Sequence, residues 1–360
     1  MPDRPRRHRG PFPRAVALTV ILAGCNHSEP FAGQRYSPDG PFTTALPRQL
    51  TYSFGKDQNP AWLADESGFI YSAEVTDNPI HDFCLDRLPA EGGVITASYC
   101  VTDASQDDSL NALREPATGP GGRLSYLSET SRAGSLTEEH MELRVGALDS
   151  PLAATVLESF PYPAPDGRTH TRGSHFGWLD QNSLVYVGET SSYPVVGRGP
   201  ARDTLAIGLN VVRLRLDGTR DLVPGTDLAT SVYPMADGTG IYFTVWGDSR
   251  VFREDLATAT TATAFDFGGA GVARDVQVRG ERLVAVVGGD VTDSIDATLG
   301  PIQLDGGGVI HVVDLTSGSD TALDAGGRLF LRPALSPSGR RIVAETFVGR
   351  SKDLWLFELP

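Results

Sequence analysis

The chain has 360 residues, 40% hydrophobic and 21% charged, with Gly 40 and Pro 25. This composition supports a sizeable core and is turn-rich without reaching low-complexity disorder. The formal charge is −14, and beyond 1–24, which hold five Arg and one Asp, 26 basic residues face 44 acidic ones. Such an acidic body is a poor match for a phosphate backbone, which argues against nucleic acid as a partner.

Residues 1–14 (MPDRPRRHRGPFPR) are basic, 15–24 (AVALTVILAG) are apolar, and Cys25 follows at once. A charged n-region, a short h-region and small residues at the cut describe a secretory signal peptide over 1–24. The apolar run is shorter than the ~20 residues that span a bilayer. Leu22-Ala23-Gly24-Cys25 resembles the bacterial lipobox. That resemblance implies lipidation of Cys25 and an anchor in the cell envelope. Asn26, in place of an inner-membrane retention Asp, implies the outer membrane facing the periplasm. The Pro-, Gly- and Ser-containing stretch 25–45 reads as a tether.

Residues 48–54 (RQLTYSF) form a β run ahead of the first repeat. Residues 81–90 and 94–102 read as two strands around a Gly-rich turn. The midpoint of Cys84 and Cys100 falls on Gly92 in that turn, so a hairpin folded there sets the two thiols opposite each other. In an exported protein this favours a disulfide, the alternative being two free buried thiols.

A phrase then recurs. Residues 60–71 (PAWLADESGFIY) return at 116–126 (PATGPGGRLSY), 175–186 (HFGWLDQNSLVY), 233–242 (YPMADGTGIY), 276–285 (VQVRGERLVA) and 333–344 (PALSPSGRRIVA). Each is a short strand, a tight turn and an apolar strand, anchored on Ile70, Leu124, Leu184, Ile241, Leu283 and Ile342. A third strand ending in Asp-Leu or a like pair follows most copies. Four strands per unit without crossover helices predict blades around an axis, two sandwiches being the alternative. The last unit has only three strands, 329–335, 341–347 and 353–359, and 48–54 is expected to supply its fourth. The expectation is therefore an all-β fold: a six-bladed β-propeller of four-stranded antiparallel blades over 46–360, closed by an N-terminal strand. The phrases resemble the repeats of TolB-like six-bladed propellers, most closely from Pro333 to Trp355, with Ser338 where that signature has Asp. The resemblance covers the propeller part of that family only.

The residue just before each innermost strand is expected at the channel rim: Asn59, Glu115, His175, Ser231, Arg274 and Arg332. One acid, one imidazole and two guanidiniums could hold a carboxylate or a peptide end; the other reading is a solvated rim. The longest loops are expected at 72–80, 127–141, 187–207 and 288–306. Asp290, Asp293, Asp296 and Asp305 leave Ca²⁺ as the one cofactor open, although their spacing is not that of an EF-hand and solvated acids explain them. The mature histidines show no metal spacing, so no metal ligands and no catalytic residues are assigned. Trp62, Trp178, Trp246 and Trp355 read as inter-blade packing. No Gly-x-Ser-x-Gly elbow is present; Gly173-Ser174-His175-Phe176-Gly177 has its Ser one place early. The functional expectation is a monomeric, non-catalytic binding or scaffold module with an envelope protein or peptide partner. Its alternative is a propeller enzyme, lactonase- or lyase-like, with a metal in the central channel.

Overall fold

The computed structural model describes residues 47–53, 55–75, 82–101, 109–132, 139–162, 169–192, 206–288, 291–296, 300–305, 307–323, 325–348 and 351–359. Cys25 and the expected signal peptide (1–24) and tether (25–45) lie outside the described residues. No helix among the described residues is long and apolar enough to cross a membrane.

The chain begins its sheets with β1 (Arg48–Gln49), then β2 (Asp57–Trp62), β3 (Gly68–Glu74), β4 (Phe83–Pro89) and β5 (Ala97–Tyr99). Next come β6 (Ser109–Gly119), β7 (Arg123–Arg132), β8 (Glu139–Ala147) and β9 (Thr155–Tyr162). They are followed by β10 (Thr169–Trp178), β11 (Ser183–Ser192), β12 (Ala206–Arg215) and β13 (Arg220–Leu222). The following four are β14 (Ala229–Pro234), β15 (Gly240–Val245), β16 (Arg250–Asp255) and β17 (Thr260–Asp266). After β18 (Ala273–Arg279) and β19 (Arg282–Val287) a hairpin of β20 (Val291–Asp296) and β21 (Gly300–Asp305) leads to β22 (Val309–Asp314) and β23 (Ser319–Ala322). The last strands are β24 (Phe330–Leu335), β25 (Arg341–Val348) and β26 (Ser351–Glu358).

The fold is an all-β propeller of antiparallel four-stranded sheets with almost no helix. Four such sheets stand alone: β10–β13, β14–β17, β18-β19-β22-β23 and β1-β26-β25-β24. The expected six separate blades differ at one point. The groups β2–β5 and β6–β9 fuse into one eight-stranded sheet, joined by the single parallel pair Phe83–Ala112 of β4 and β6. The first strands β2, β6, β10, β14, β18 and β24 neighbour one another in turn, and β24 returns to β2, closing a ring around a channel.

Closure follows the expected pairing in shortened form. Among the described residues 48–53, only Arg48 and Gln49 form strand, pairing with Leu356 and Trp355. Leu50 N–H donates to Leu354 O at 2.8 Å, and Leu50 is fully buried with Trp62, Phe69 and Leu354. The six repeat anchors are all fully buried, and the apolar clusters fill the faces between neighbouring sheets. Trp62 Nε1 donates to Ala334 O at 2.8 Å and Trp178 Nε1 to Ala117 O at 3.2 Å, each tying a sheet to the one before it. Gly119 is required under Trp178: a Cβ there would sit 2.7 Å from the indole ring. The β4–β5 register, Leu85 opposite Tyr99, carries Cys84 onto Cys100, and the two form a disulfide.

Candidate binding site in the channel

Each first strand slips register once. The shifts fall at Gln58/Ala61, Arg114/Ala117, Ser174/Gly177, Ala229/Ser231, Arg274/Gln277 and Leu331/Ala334. At five of these bulges one non-glycine residue is left-handed: Asn59, Glu115, His175, Asp275 and Arg332, with φ between 47 and 55°. Such backbone costs of order 1 kcal/mol each, and a bulge re-aims its side chain. The carboxylates of the ring hold it in place across sheet boundaries. Glu115 Oε2 accepts from His175 N at 2.6 Å, Asp275 Oδ2 from Arg332 N at 2.9 Å, and Glu345 Oε1 from Asn59 N at 2.7 Å.

The side chains then meet across the channel. His175 Nε2 lies 2.8 Å from Asp275 Oδ1, and Arg332 lies 3.1 Å from Glu115 Oε1 and 3.9 Å from Asp275 Oδ1. Burial alone would raise the Asp275 carboxyl, but the His175 hydrogen bond and the Arg332 charge outweigh it and hold the group well below the ordinary carboxylate range. Asp275 is therefore an anion at neutral pH.

The five left-handed residues form a septum. On the side where the first strands begin lies a cavity of about 730 Å³; on the other lies one of about 100 Å³, and both are lined by all five. The larger cavity has apolar wall from Leu127, Met141, Val187, Leu209 and Trp246. Most of its charges are engaged: Arg114 with Glu129 at 2.9 Å, Lys352 with Glu345 at 2.8 Å, and Arg274 with the carbonyls of Gly288 and Gly307. Arg172 and Glu189 stand directly opposite each other on β10 and β11, both on this cavity, and form no ion pair within 4.0 Å.

Four of the expected rim residues, Asn59, Glu115, His175 and Arg332, come together here, inside the first strands and midway along the channel rather than before the strands at its mouth. Ser231 is fully buried, its hydroxyl 2.6 Å from Thr244 Oγ1 and accepting from Val276 N at 3.2 Å. Arg274 faces the larger cavity, but the septum position of its strand is Asp275, which the sequence reading missed by one residue. Pro60, Pro116 and Pro333 mark the bulge in three copies; Asp275 is followed by Val276 and carries no such marker. Trp246 corrects a second expectation. Trp62, Trp178 and Trp355 are buried, whereas Trp246 lies in the turn after β15, 37% exposed, on the cavity wall beside exposed Leu228. Of the expected loops, 127–132 and 139–141 belong to β7 and β8, 187–192 and 206–207 belong to β11 and β12, and 288–306 carries the β20–β21 hairpin. Asp290 lies outside the described residues, while Asp293 and Asp296 sit on β20 and Asp305 ends β21. Among the described residues, no group of three or more His, Cys, Asp or Glu is placed to hold a metal ion.

No family model and no curated protein matches the chain. Solved structures do. The chain is similar to a calcium-binding protein, regucalcin, from Agrobacterium tumefaciens, at TM-score 0.50 and 13% identity over 88% of this chain and 95% of that one. It is also similar to a putative TolB from Agrobacterium tumefaciens (TM-score 0.49, 13% identity, 86% and 92% covered). A putative gluconolactonase gives TM-score 0.48 at 16% identity, with 92% and 96% covered. At 13% identity the regucalcin likeness shows the propeller fold alone.

Proposed function

We propose that this is a six-bladed propeller, each half of the eight-stranded sheet being one blade, that binds a peptide or protein segment in the larger cavity. Its mature chain would be held at the envelope by lipid on Cys25, at the outer membrane facing the periplasm, and would act as a monomer. The observation that carries the reading is the septum. Arg332 pairs with Glu115 and Asp275 across the channel and His175 hydrogen-bonds to Asp275, so the larger cavity has a floor whose polar groups are already engaged with one another. Its apolar wall, exposed Trp246 and the opposed charges of Arg172 and Glu189 suit a peptide, which brings both apolar groups and backbone hydrogen-bond partners. The metal-dependent alternative would require Glu115 and Asp275 to leave Arg332.

A peptide-display selection against the folded full chain tests this. Enriched sequences are expected to bind the wild type and to lose about tenfold in affinity in Trp246→Ala, as an exposed aromatic anchor does. No enrichment, or enriched peptides indifferent to Trp246, overturns the reading. So does one tightly held divalent ion per chain in elemental analysis.

A further inference from the structure

The run Gly173-Ser174-His175-Phe176-Gly177 fails as a nucleophile elbow in sequence, yet the fold gives its serine a base. Ser174 Oγ lies 3.2 Å from His175 Nδ1, and His175 Nε2 lies 2.8 Å from Asp275 Oδ1, one hundred residues further on. The imidazole is 15% exposed and the Asp275 side chain 9%, so water does not compete freely for this chain of contacts. An ionised carboxylate only accepts, so the hydrogen-bond network assigns the ring proton to Nε2. Nδ1 is thereby left as an acceptor toward the Ser174 hydroxyl. Asp275 is fixed in turn by the Arg332 amide at 2.9 Å and the Arg332 guanidinium at 3.9 Å. Ser174 lines the larger cavity. Arg172, two positions earlier on β10 before the register shifts, falls on the same face by strand alternation and lines the cavity too.

We infer that Ser174, His175 and Asp275 are the nucleophile, general base and positioning carboxylate of an acyl-transfer site that hydrolyses carboxylic esters in the larger cavity. The order of groups is the one such chemistry needs, with the two imidazole nitrogens exchanged relative to the familiar serine-hydrolase arrangement. Ser174 Oγ bonds to the acyl carbon as its proton passes to His175 Nδ1. The ester C–O bond then breaks, and the leaving alcohol takes that proton. Water, deprotonated by the same nitrogen, then adds to the acyl carbon; the bond from that carbon to Ser174 Oγ breaks, the proton on His175 Nδ1 passes to Oγ, and the acid leaves with Ser174 restored. The Arg172 guanidinium is placed to stabilise the oxyanion. Leu209 and Trp246 give an apolar acyl group its wall, so the substrate class is an uncharged ester with a short apolar acyl chain. This goes beyond the peptide-binding reading and needs no partner protein.

The experiment treats the full folded chain with a fluorophosphonate probe and with p-nitrophenyl butyrate. A probe adduct is expected on Ser174 by peptide mapping, with ester turnover unaffected by EDTA. Ser174→Ala, which removes one half-buried hydroxyl, should lose the adduct and at least ~10²-fold in kcat/KM at an unchanged melting temperature. Asp275→Asn should lower kcat by about 10²-fold and leave KM in place, a split that a purely structural role would not give. A folded wild type without the Ser174 adduct overturns the inference, as does equal turnover by Ser174→Ala or turnover abolished by EDTA. Peptides that still bind Ser174→Ala separate its failure from that of the binding reading.

Discussion

Gln49 Nε2 donates to Asp353 Oδ2 at 3.0 Å, although 304 positions separate the two residues in the chain. This contact lies on the seam where the first and last strands pair. Asp353 is pushed up to about 7, first by burial and then by the like charge of Asp57. A carboxyl raised on folding favours the folded state in its protonated form. Its contribution is complete below the ordinary carboxylate range and is lost as pH climbs through 7. Asp353→Asn should therefore melt about 2–5 °C above the wild type at pH 8, with the gap closing toward pH 5 in thermal scans. A gap that widens on acidification would contradict the assigned sign.

Two residues of strand hold the ring shut only because their neighbour is packed. Leu50 is fully buried, its N–H bonded to Leu354 O, while Thr51 Oγ1 accepts from Leu354 N at 2.9 Å. Leu50→Ala is expected to cost about 2–4 kcal/mol in urea unfolding, and loss of 46–54 to lower the melting temperature by several degrees. An unchanged unfolding curve would mean that the ring does not depend on this strap.

Much of this fold was legible because its signals are local. The anchors from Ile70 to Ile342 sit in strands that follow tight turns, and every one is fully buried. The Cys84–Cys100 pairing was readable because a hairpin centred on Gly92 leaves one register. What was not legible depends on breaks in that regularity. A bulge displaces side-chain alternation by one residue, which is why Arg274 was named in place of Asp275. The arms of β7 and β11 carry Ser-Glu-Thr-Ser and Gly-Glu-Thr-Ser, with no apolar face to show a period of two. The fusion at Phe83–Ala112 is a contact between repeats, invisible to any reading within one. His175 meeting Asp275 is likewise set by the closed ring and by no spacing in the chain.

The disulfide closes a loop of sequence separation 16 around a turn whose β5 strand is half exposed. A loop of that length constrains the unfolded chain by about 3 kcal/mol. The Cys84→Ser/Cys100→Ser double variant should lose about 2–3 kcal/mol relative to the oxidised protein. Non-reducing peptide mapping should show the two linked; free thiols at both positions would remove the basis of the prediction.

Lipid on Cys25 would add ~0.8 kcal/mol of membrane affinity per buried CH₂, so two or three chains hold firmly. Cys25→Ser, expressed with residues 1–24 in a bacterial host, should move the protein from the membrane pellet to the soluble fraction. Persistent sedimentation with membranes would refute the anchor.

Arg332 is the cation on which two septum acids depend. It faces Glu115 and Asp275 at once, and Asp275 is buried. Removing one partner of such a group leaves charge without compensation, which costs more than the pair itself contributes. Arg332→Ala should therefore destabilise the chain by about 2–4 kcal/mol, measured by urea unfolding at pH 7. The pH dependence runs opposite to that of Asp353. A carboxyl held low in the folded state contributes above the ordinary carboxylate range and is lost only as pH falls through its depressed folded value. The wild-type advantage over Arg332→Ala should accordingly be full at pH 8 and shrink in acid, as Asp275 of the variant, raised by burial, takes up a proton that the wild type's does not. An advantage that does not shrink on acidification would show that Asp275 is not the anion Arg332 holds.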